Sequence, residues 1–200
     1  DNYTDFPTAI STIGATVTTL IINKSATVSS NQTVPSTLRL WFMGQGALSI
    51  GSGVTVTIRG HILADMRRIF TGSGTAVVAG LQTEMWADWW GAVGNDSTDS
   101  LAGIQAAIDS AATNTTSNST PRTILLQGVY RISGQIVWTN GTSRPDSIVL
   151  RGVGSLSDSS TLNTFGRAEI FWNGGVAADS AMILINGNAL SGRIENLKLD

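Results

Sequence analysis

The 200-residue chain carries eleven Asp, three Glu, a single His and no Cys, so the residues able to do acid-base or nucleophilic chemistry can be weighed one by one. Asp96 and Asp99, in Asn95-Asp96-Ser97-Thr98-Asp99, are the nearest thing to a working carboxylate pair. They precede a helical pattern, and a helix N-terminus favours carboxylates electrostatically, so capping explains them more simply than catalysis. Asp88 stands beside the tryptophans. Glu169 lies in Ala168-Glu169-Ile170-Phe171-Trp172. Either could face a cleft, but alternation turns Glu169 away from Ile170, and a solvated strand face is sufficient for it. His61, between Gly60 and Ile62, has no Ser or Asp partner at a useful spacing and reads as a surface turn histidine. Arg67-Arg68 could bind an acidic sugar, yet a solvated edge that discourages strand pairing is the simpler reading. Gly72-Ser73-Gly74-Thr75 is not followed by a helix carrying Lys-Ser/Thr, so it is no phosphate cradle. Asn95 to Asp99 lacks the ligand count of a calcium loop. No metal or other cofactor is expected, and no residue is assigned a catalytic role.

Composition narrows the class. Hydrophobic residues make up 42% and charged residues 13%, with 22 glycines and abundant Ser and Thr, which describes a turn-rich β protein rather than a helical bundle. The net charge is -2 and the ten Arg and two Lys are scattered, so the basic stripe that nucleic acid requires is missing. Without Cys, disulfides, zinc-thiolate sites and thiol nucleophiles are excluded. No apolar run approaches the roughly 18 residues of a spanning helix, and membrane insertion is not expected. The chain opens on Asp1 without Met and stops at Asp200 after a strand-like run, as a processed or truncated product of a longer chain would. Asn-X-Ser/Thr triplets begin at Asn2, Asn23, Asn31, Asn95, Asn114, Asn118 and Asn140; in so Ser/Thr-rich a chain they are attributed to chance rather than to glycosylation.

Along the chain, Ala9, Ile10 and Ile13 have the spacing of one or two helical turns. Strand patterns follow at Val17 to Ile22, Leu38 to Phe42, Ala47 to Ile50, Val54 to Ile58, Ile62 to Ala64 and Thr75 to Val78. Ile22, Leu40 and Ile58 recur 18 residues apart and Val78 follows after 20 more, which favours a solenoid of stacked β-coils over a β-sandwich. Gly44, Gly46, Gly51, Gly53, Gly60, Gly72 and Gly74 fall where tight corners are needed. Met85, Trp86, Trp89 and Trp90 form either a platform for sugar rings or a plug at the end of a core, and the plug is favoured. Leu101, Ile104, Ile108 and Ala111 make one apolar stripe on a helix from Ser100 to Ala112, with Asp99 as N-cap and Thr98 as the alternative. Gly103 within it implies something packed tightly against that turn. Thr113 to Pro121 reads as an exposed polar loop.

Strands resume at Thr123 to Leu126, Val129 to Ile132, Gln135 to Trp138, Ser147 to Leu150, Ala168 to Trp172, Ala181 to Ile185 and Arg193 to Leu199. The continuously apolar runs Ile124-Leu125-Leu126, Ile148-Val149-Leu150 and Met182-Ile183-Leu184-Ile185 suit strands covered on both faces. Two regions result: N-terminal β-rich coils over 1–88, and a capping helix with the first coils of a second stack over 89–200.

The succession WWGAVGNDSTDSLAGIQAAIDSA, TILLQGVYRISGQI, IVLRGVG and RIENLKLD resembles the opening of the pectate-lyase-like superfamily, in particular its phage tailspike and capsule-depolymerase branch. The preceding TLIINKSATVSSNQTVPSTLRLWFMGQGALSIGSGVTVTIRGHILADMRRIF is similar to the segment that often comes before that opening, so the likeness covers nearly the whole chain. Where the family usually reads Gly-Asp-Gly-x-x-Asp-Asp-Thr, Asn95 stands for Asp, Asp96 for Gly, and Asp99-Ser100 for the Asp pair. Leu125-Leu126-Gln127-Gly128-Val129-Tyr130 resembles Leu-Pro-x-Gly-x-Tyr without its proline.

The resemblance implies an all-β fold: a right-handed parallel β-helix, or solenoid, with an N-terminal β-rich segment and one capping α-helix. It further implies a homotrimer at a virion surface or outside the cell that binds cell-surface polysaccharide. In the full-length protein it implies cleavage of that polysaccharide as well, by a glycoside hydrolase or lyase mechanism whose catalytic residues lie in later coils. Two other functions remain open. One is a non-catalytic structural or adhesive β-helix module of a virion or extracellular filament, which the lack of a recurring carboxylate pair favours. The other is a secreted cellular carbohydrate-active enzyme, which glycans on the sequons would support.

Overall fold

A computed structural model describes residues 5–112, 122–139, 148–154, 168–173, 181–186 and 192–200. The protein is all-β, built of parallel sheets, with two α-helices among the described residues, and it forms two compact units, Asp1–Gln82 and Thr83–Asp200. The expected exposure of Thr113 to Pro121 and the sequons at Asn2, Asn114, Asn118 and Asn140 lie outside the described residues. No helix among those described is long and apolar enough to cross a membrane.

The first unit opens with α1 (Phe6–Ile13). The Asp5 carboxylate caps it by accepting the Thr8 N–H at 2.7 Å, Pro7 occupies the first turn where its missing N–H costs nothing, and Gly14 ends it at φ 56°. Phe6, Ala9 and Ile10 turn inward. Nine short strands follow: β1 (Thr18–Ile22), β2 (Ser25–Val28), β3 (Gln32–Val34), β4 (Leu38–Phe42), β5 (Ala47–Ile50), β6 (Thr55–Ile58), β7 (Ile62–Leu63), β8 (Phe70–Gly72) and β9 (Thr75–Val78). Each of β1 to β6 pairs in parallel with the third strand after it, giving sheets β1-β4-β7, β2-β5-β8 and β3-β6-β9. Along β4, Leu38, Leu40 and Phe42 are buried while Arg39 and Trp41 are exposed, the alternation of a strand with one face on a core. Val28, Val34, Leu40, Leu48, Val56 and Ile58 are fully buried and supply that core.

The register corrects the 18-residue period. Leu20 lies beside Leu40, Leu48 beside Phe70 and Gln32 beside Val56, offsets of 20, 22 and 24 residues. Ile58 belongs to a different sheet from Ile22 and Leu40, although it does pair with Val78. The period was miscounted because β2, β3 and β8 were not recognised: their Ser, Thr and Gln residues hide a single inward valine or phenylalanine each, namely Val28, Val34 and Phe70.

Stacking brings backbones very close. A Cβ on Gly60 would lie 1.8 Å from the Leu38 carbonyl oxygen, and one on Gly46 would lie 1.8 Å from that of Ile22. Gly53 differs: its φ is 72°, but nothing lies within 4 Å of where a Cβ would go. Gly60→Ala is therefore expected to cost about 3 kcal/mol through overpacking, and Gly53→Ala only about 1 kcal/mol through its left-handed backbone. Denaturant unfolding of the two variants checks the difference; equal losses would remove the close-approach argument.

The second unit begins with β10 (Glu84–Trp86) and a 3₁₀ turn, Ala87–Trp90. It continues through β11 (Asn95–Asp99), α2 (Leu101–Ala112), β12 (Arg122–Leu126), β13 (Gly128–Ile132), β14 (Ile136–Thr139), β15 (Ile148–Gly152), β16 (Ala168–Trp172), β17 (Ile183–Asn186), β18 (Arg193–Glu195) and β19 (Lys198–Leu199). Its parallel sheets are β10-β12-β15-β18, β11-β13-β16-β19 and β14-β17. The single strand expected from Arg193 to Leu199 is interrupted at Asn196, whose φ of 50° breaks an extended run. β12 and β15 are covered on both faces as expected. Leu184 and Ile185 are exposed, on a strand that among the described residues pairs only with β14.

Candidate functional site

The second unit gathers most of the chemistry-bearing residues around the start of α2 and on the outer face of β11-β13-β16-β19. The helix is set by the turn before it. Ser100 occupies the N-cap position, because its carbonyl accepts the Ile104 N–H at 3.0 Å. Its fully buried hydroxyl accepts the Val93 N–H at 2.9 Å and, 3.1 Å from the Val93 carbonyl, returns a proton to the same residue. Asp99, expected as N-cap, sits one position earlier; its Oδ1 accepts the N–H groups of Leu101 and Ser133 at 3.1 and 3.2 Å, and its other oxygen accepts the Ser133 hydroxyl. The Ser133 hydroxyl and then the Leu101 N–H hold the Asp99 carboxyl below its ordinary range.

Asp96, the other member of the presumptive pair, points elsewhere: its carboxylate lies 3.0 Å from Arg131 Nε. The two carboxylates thus serve separate partners and do not converge on one reacting position. Asp96 also has φ 56°, a left-handed backbone that glycine adopts without penalty. Asn95 sustains the turn by accepting the N–H groups of Ser97 and Thr98 at 3.1 and 2.9 Å.

Trp89 and Trp90 are 2% and 9% exposed, with ring centroids 6.3 Å apart, so neither offers a face to a ligand; they fill space as a plug. Beside them Asp88 is 7% exposed, and its carboxylate accepts the Tyr130 hydroxyl at 2.9 Å while that hydroxyl accepts the Gln127 N–H at 3.1 Å. Burial pushes the Asp88 carboxyl up, with Tyr130 opposing; burial and then the Asp88 charge push the Tyr130 phenol up. This lock joins the 3₁₀ turn to β13.

Glu169 corrects the solvated-face reading. Its outward direction is as alternation requires, opposite to the fully buried Ile170, but it is 7% exposed and 3.0 Å from Lys198 Nζ, which also holds Asp200. Its strand neighbours explain this: Val129 and Lys198 flank Glu169 in register, and Arg131, beside Phe171, stacks 4.7 Å from that ring's centroid. A second outward ladder on β10-β12-β15-β18 places Arg151 3.0 Å from Glu195 and 3.5 Å from Glu84. Alternation alone could not reveal these ion pairs, since they join positions 29 to 67 residues apart.

In the first unit, Arg68 Nε donates to the Phe70 carbonyl at 3.0 Å and braces the approach to β8. The Ser73 and Gly74 N–H groups both donate to the Ile50 carbonyl and the Thr75 N–H donates to that of Val54, so these backbone donors of the glycine-rich turn are taken. His61 is exposed, as read, on the line of β7. No three His, Asp or Glu side chains cluster as a metal site among the described residues. Comparison of the chain with protein-family models, curated proteins and solved structures gives no match.

Two outcomes test this geometry. A Cβ on Gly103 would lie 2.2 Å from the Ala92 nitrogen, so α2 rests directly on the backbone that leaves the 3₁₀ turn, as the glycine implied. Gly103→Ala should then destabilise by about 2 kcal/mol through overpacking, although helix propensity alone would favour Ala by about 1 kcal/mol; the sign of the change in denaturant unfolding decides. Asp88 gives a pH signature. As pH rises from its ordinary 3.8, the unfolded chain releases the proton before the folded one does, so its contribution to stability falls across the window up to the raised folded value and stays low above it. Unfolding from about pH 3 to about pH 7 should show Asp88→Asn gaining stability relative to the parent with increasing pH. A constant difference would mean that burial does not perturb this carboxyl.

Proposed function

We propose that the chain is the opening part of a right-handed parallel β-helix protein of tailspike type, with α2 as its capping helix, that binds cell-surface polysaccharide. The observation that carries this reading is the pairing of every third strand in the first unit, in parallel and at offsets of 20 to 24 residues. Three short strands and their turns per offset are what successive coils of a β-helix require. The packing of α2 on the 3₁₀ turn and on β14 supports a cap. The sequence resemblance supplies the tailspike class, the homotrimer, the virion-surface or extracellular setting and polysaccharide as the ligand.

Cleavage by the full-length protein belongs to the same proposal, without assigned residues in this chain. The second reading, a non-catalytic structural or adhesive module, is favoured by the engagement of Asp88, Asp99, Glu169 and Glu195 in hydrogen bonds or ion pairs. Glycoside hydrolysis needs a pair of carboxyl groups free to engage the scissile bond.

Binding of the protein to a panel of capsular and exopolysaccharides, with new reducing ends and unsaturated uronates followed in parallel, separates the readings. Retention on at least one polysaccharide is the expected result, and a stable trimer in sedimentation equilibrium supports the class. Failure to bind any of them leaves only the structural module. Ile104 is fully buried on α2; Ile104→Ala should cost about 2 to 5 kcal/mol, and an unchanged thermal midpoint would sink the cap assignment.

A further inference from the structure

The outer faces of the first unit's three sheets are unlike one another. Thr27, Ser49 and Thr71 stand in register across β2-β5-β8, and Thr33 and Thr57 across β3-β6. The outer face of β1-β4-β7 instead carries Ile21, Trp41 and Leu63 side by side, 51%, 40% and 44% exposed. An indole flanked by two aliphatic side chains at strand spacing, about 4.8 Å, makes a flat apolar strip that the unit's own fold does not cover.

One step along the same strands, Thr19 pairs with Arg39, and the Leu40 N–H donates to the His61 carbonyl at 2.9 Å, which brings His61 next to Arg39. Here the surface is concave. An open groove of about 410 Å³ is lined by Val17, Thr18, Thr19, Ser36, Thr37, Arg39 and His61, within the usual range of roughly 300 to 1,000 Å³ for small-ligand sites. The Arg39 guanidinium is exposed and has no ion-pair partner among the described residues. An exposed aromatic strip bordering a groove of hydroxyls, an imidazole and an uncompensated guanidinium matches a ring with an apolar C–H face, several hydroxyls and a carboxylate.

We propose that the outer face of β1-β4-β7 binds an acidic saccharide, with Trp41 stacking on a sugar ring and Arg39 pairing with a uronate carboxylate in the adjacent groove. His61 and the threonine and serine hydroxyls hydrogen-bond the ring hydroxyls. The inference rests on polysaccharide being the ligand class and adds a place and a charge to it.

Isothermal titration of the full chain with oligogalacturonate and alginate oligosaccharides, and with uncharged malto-oligosaccharides, tests it. The acidic sugars are expected to bind at least tenfold tighter than the neutral ones. Trp41→Ala should lose at least tenfold in affinity with Trp41→Phe retaining most of it, and Arg39→Gln should abolish the preference for acid. Trp41 and Arg39 are exposed, so the variants are expected to keep the parent's unfolding midpoint; should Trp41→Ala fail to fold, Arg39→Gln alone decides. If both variants bind acidic sugars like the parent, the site is overturned while the polysaccharide reading stands. If no acidic or neutral sugar binds and the wider panel also fails, both fall. If Trp41→Ala instead converts an oligomer to monomers in sedimentation, the face is a contact between copies and the proposal is overturned.

Discussion

Parallel strands cannot be joined by a tight hairpin, because each must return to its starting side before it can pair. In the first unit this constraint is met by giving every strand a partner one full layer away in the chain and none next to it in sequence. The backbone hydrogen bonds, the inward rows of Val, Leu and Ile, and the corners where a carbonyl and a glycine nearly touch all follow from that layer-on-layer register. A shift of one residue in any strand would turn its whole inward set outward, which is why inward positions such as Leu40 and Val56 are fully buried while the alternating Arg39 and Trp41 are free to face solvent.

In the second unit the same parallel pairing is held together by different means. Ser100, Asp88 and Tyr130 are buried polar groups, each satisfied by a partner on another element, so they fix where the helix, the 3₁₀ turn and β13 meet. On the outer faces, Arg131 pairs with Asp96, Lys198 with Glu169 and Asp200, and Arg151 with Glu195 and Glu84. Exposed pairs of this kind contribute little stability individually. Their consequence is electrostatic: Asp96, Glu169 and Glu195 each face a cationic neighbour, while Asp88 and Asp99 are held by hydrogen bonds.

Much of the architecture was legible in the residues. Strands such as Leu38–Phe42, Ala47–Ile50 and Ala168–Trp172 carry strong apolar or alternating patterns, and the α2 stripe and Gly103 announced a helix pressed against something close. What escaped was either weakly apolar or long-range. β2 and β3 each present a single buried valine among Ser, Thr and Gln, too little for a periodic signal. Asp99 had the right chemistry for a cap but the register placed Ser100 there, because the buried Ser100 hydroxyl is needed to hold Val93. Glu169 was placed on the correct face, yet its burial under Lys198 depends on a strand that follows much later. The exposed Trp41 was invisible in sequence for the same reason: only the pairing of β1, β4 and β7 shows that Ile21 and Leu63 stand beside it.

The near-contacts at Gly46, Gly60 and Gly80 carry a further meaning. Each glycine faces a carbonyl more than twenty residues earlier in the chain, that of Ile22, Leu38 or Arg59, so the spacing of the parallel strands is measured at fixed points. A shift of register at either end of such a contact would bring a side chain into a space that admits none. The length of this chain can therefore drift only where the backbone is not so gauged, as around the open Gly44 and Gly53 turns. Those turns are where an evolving lineage, or an engineer grafting a loop, has room to insert.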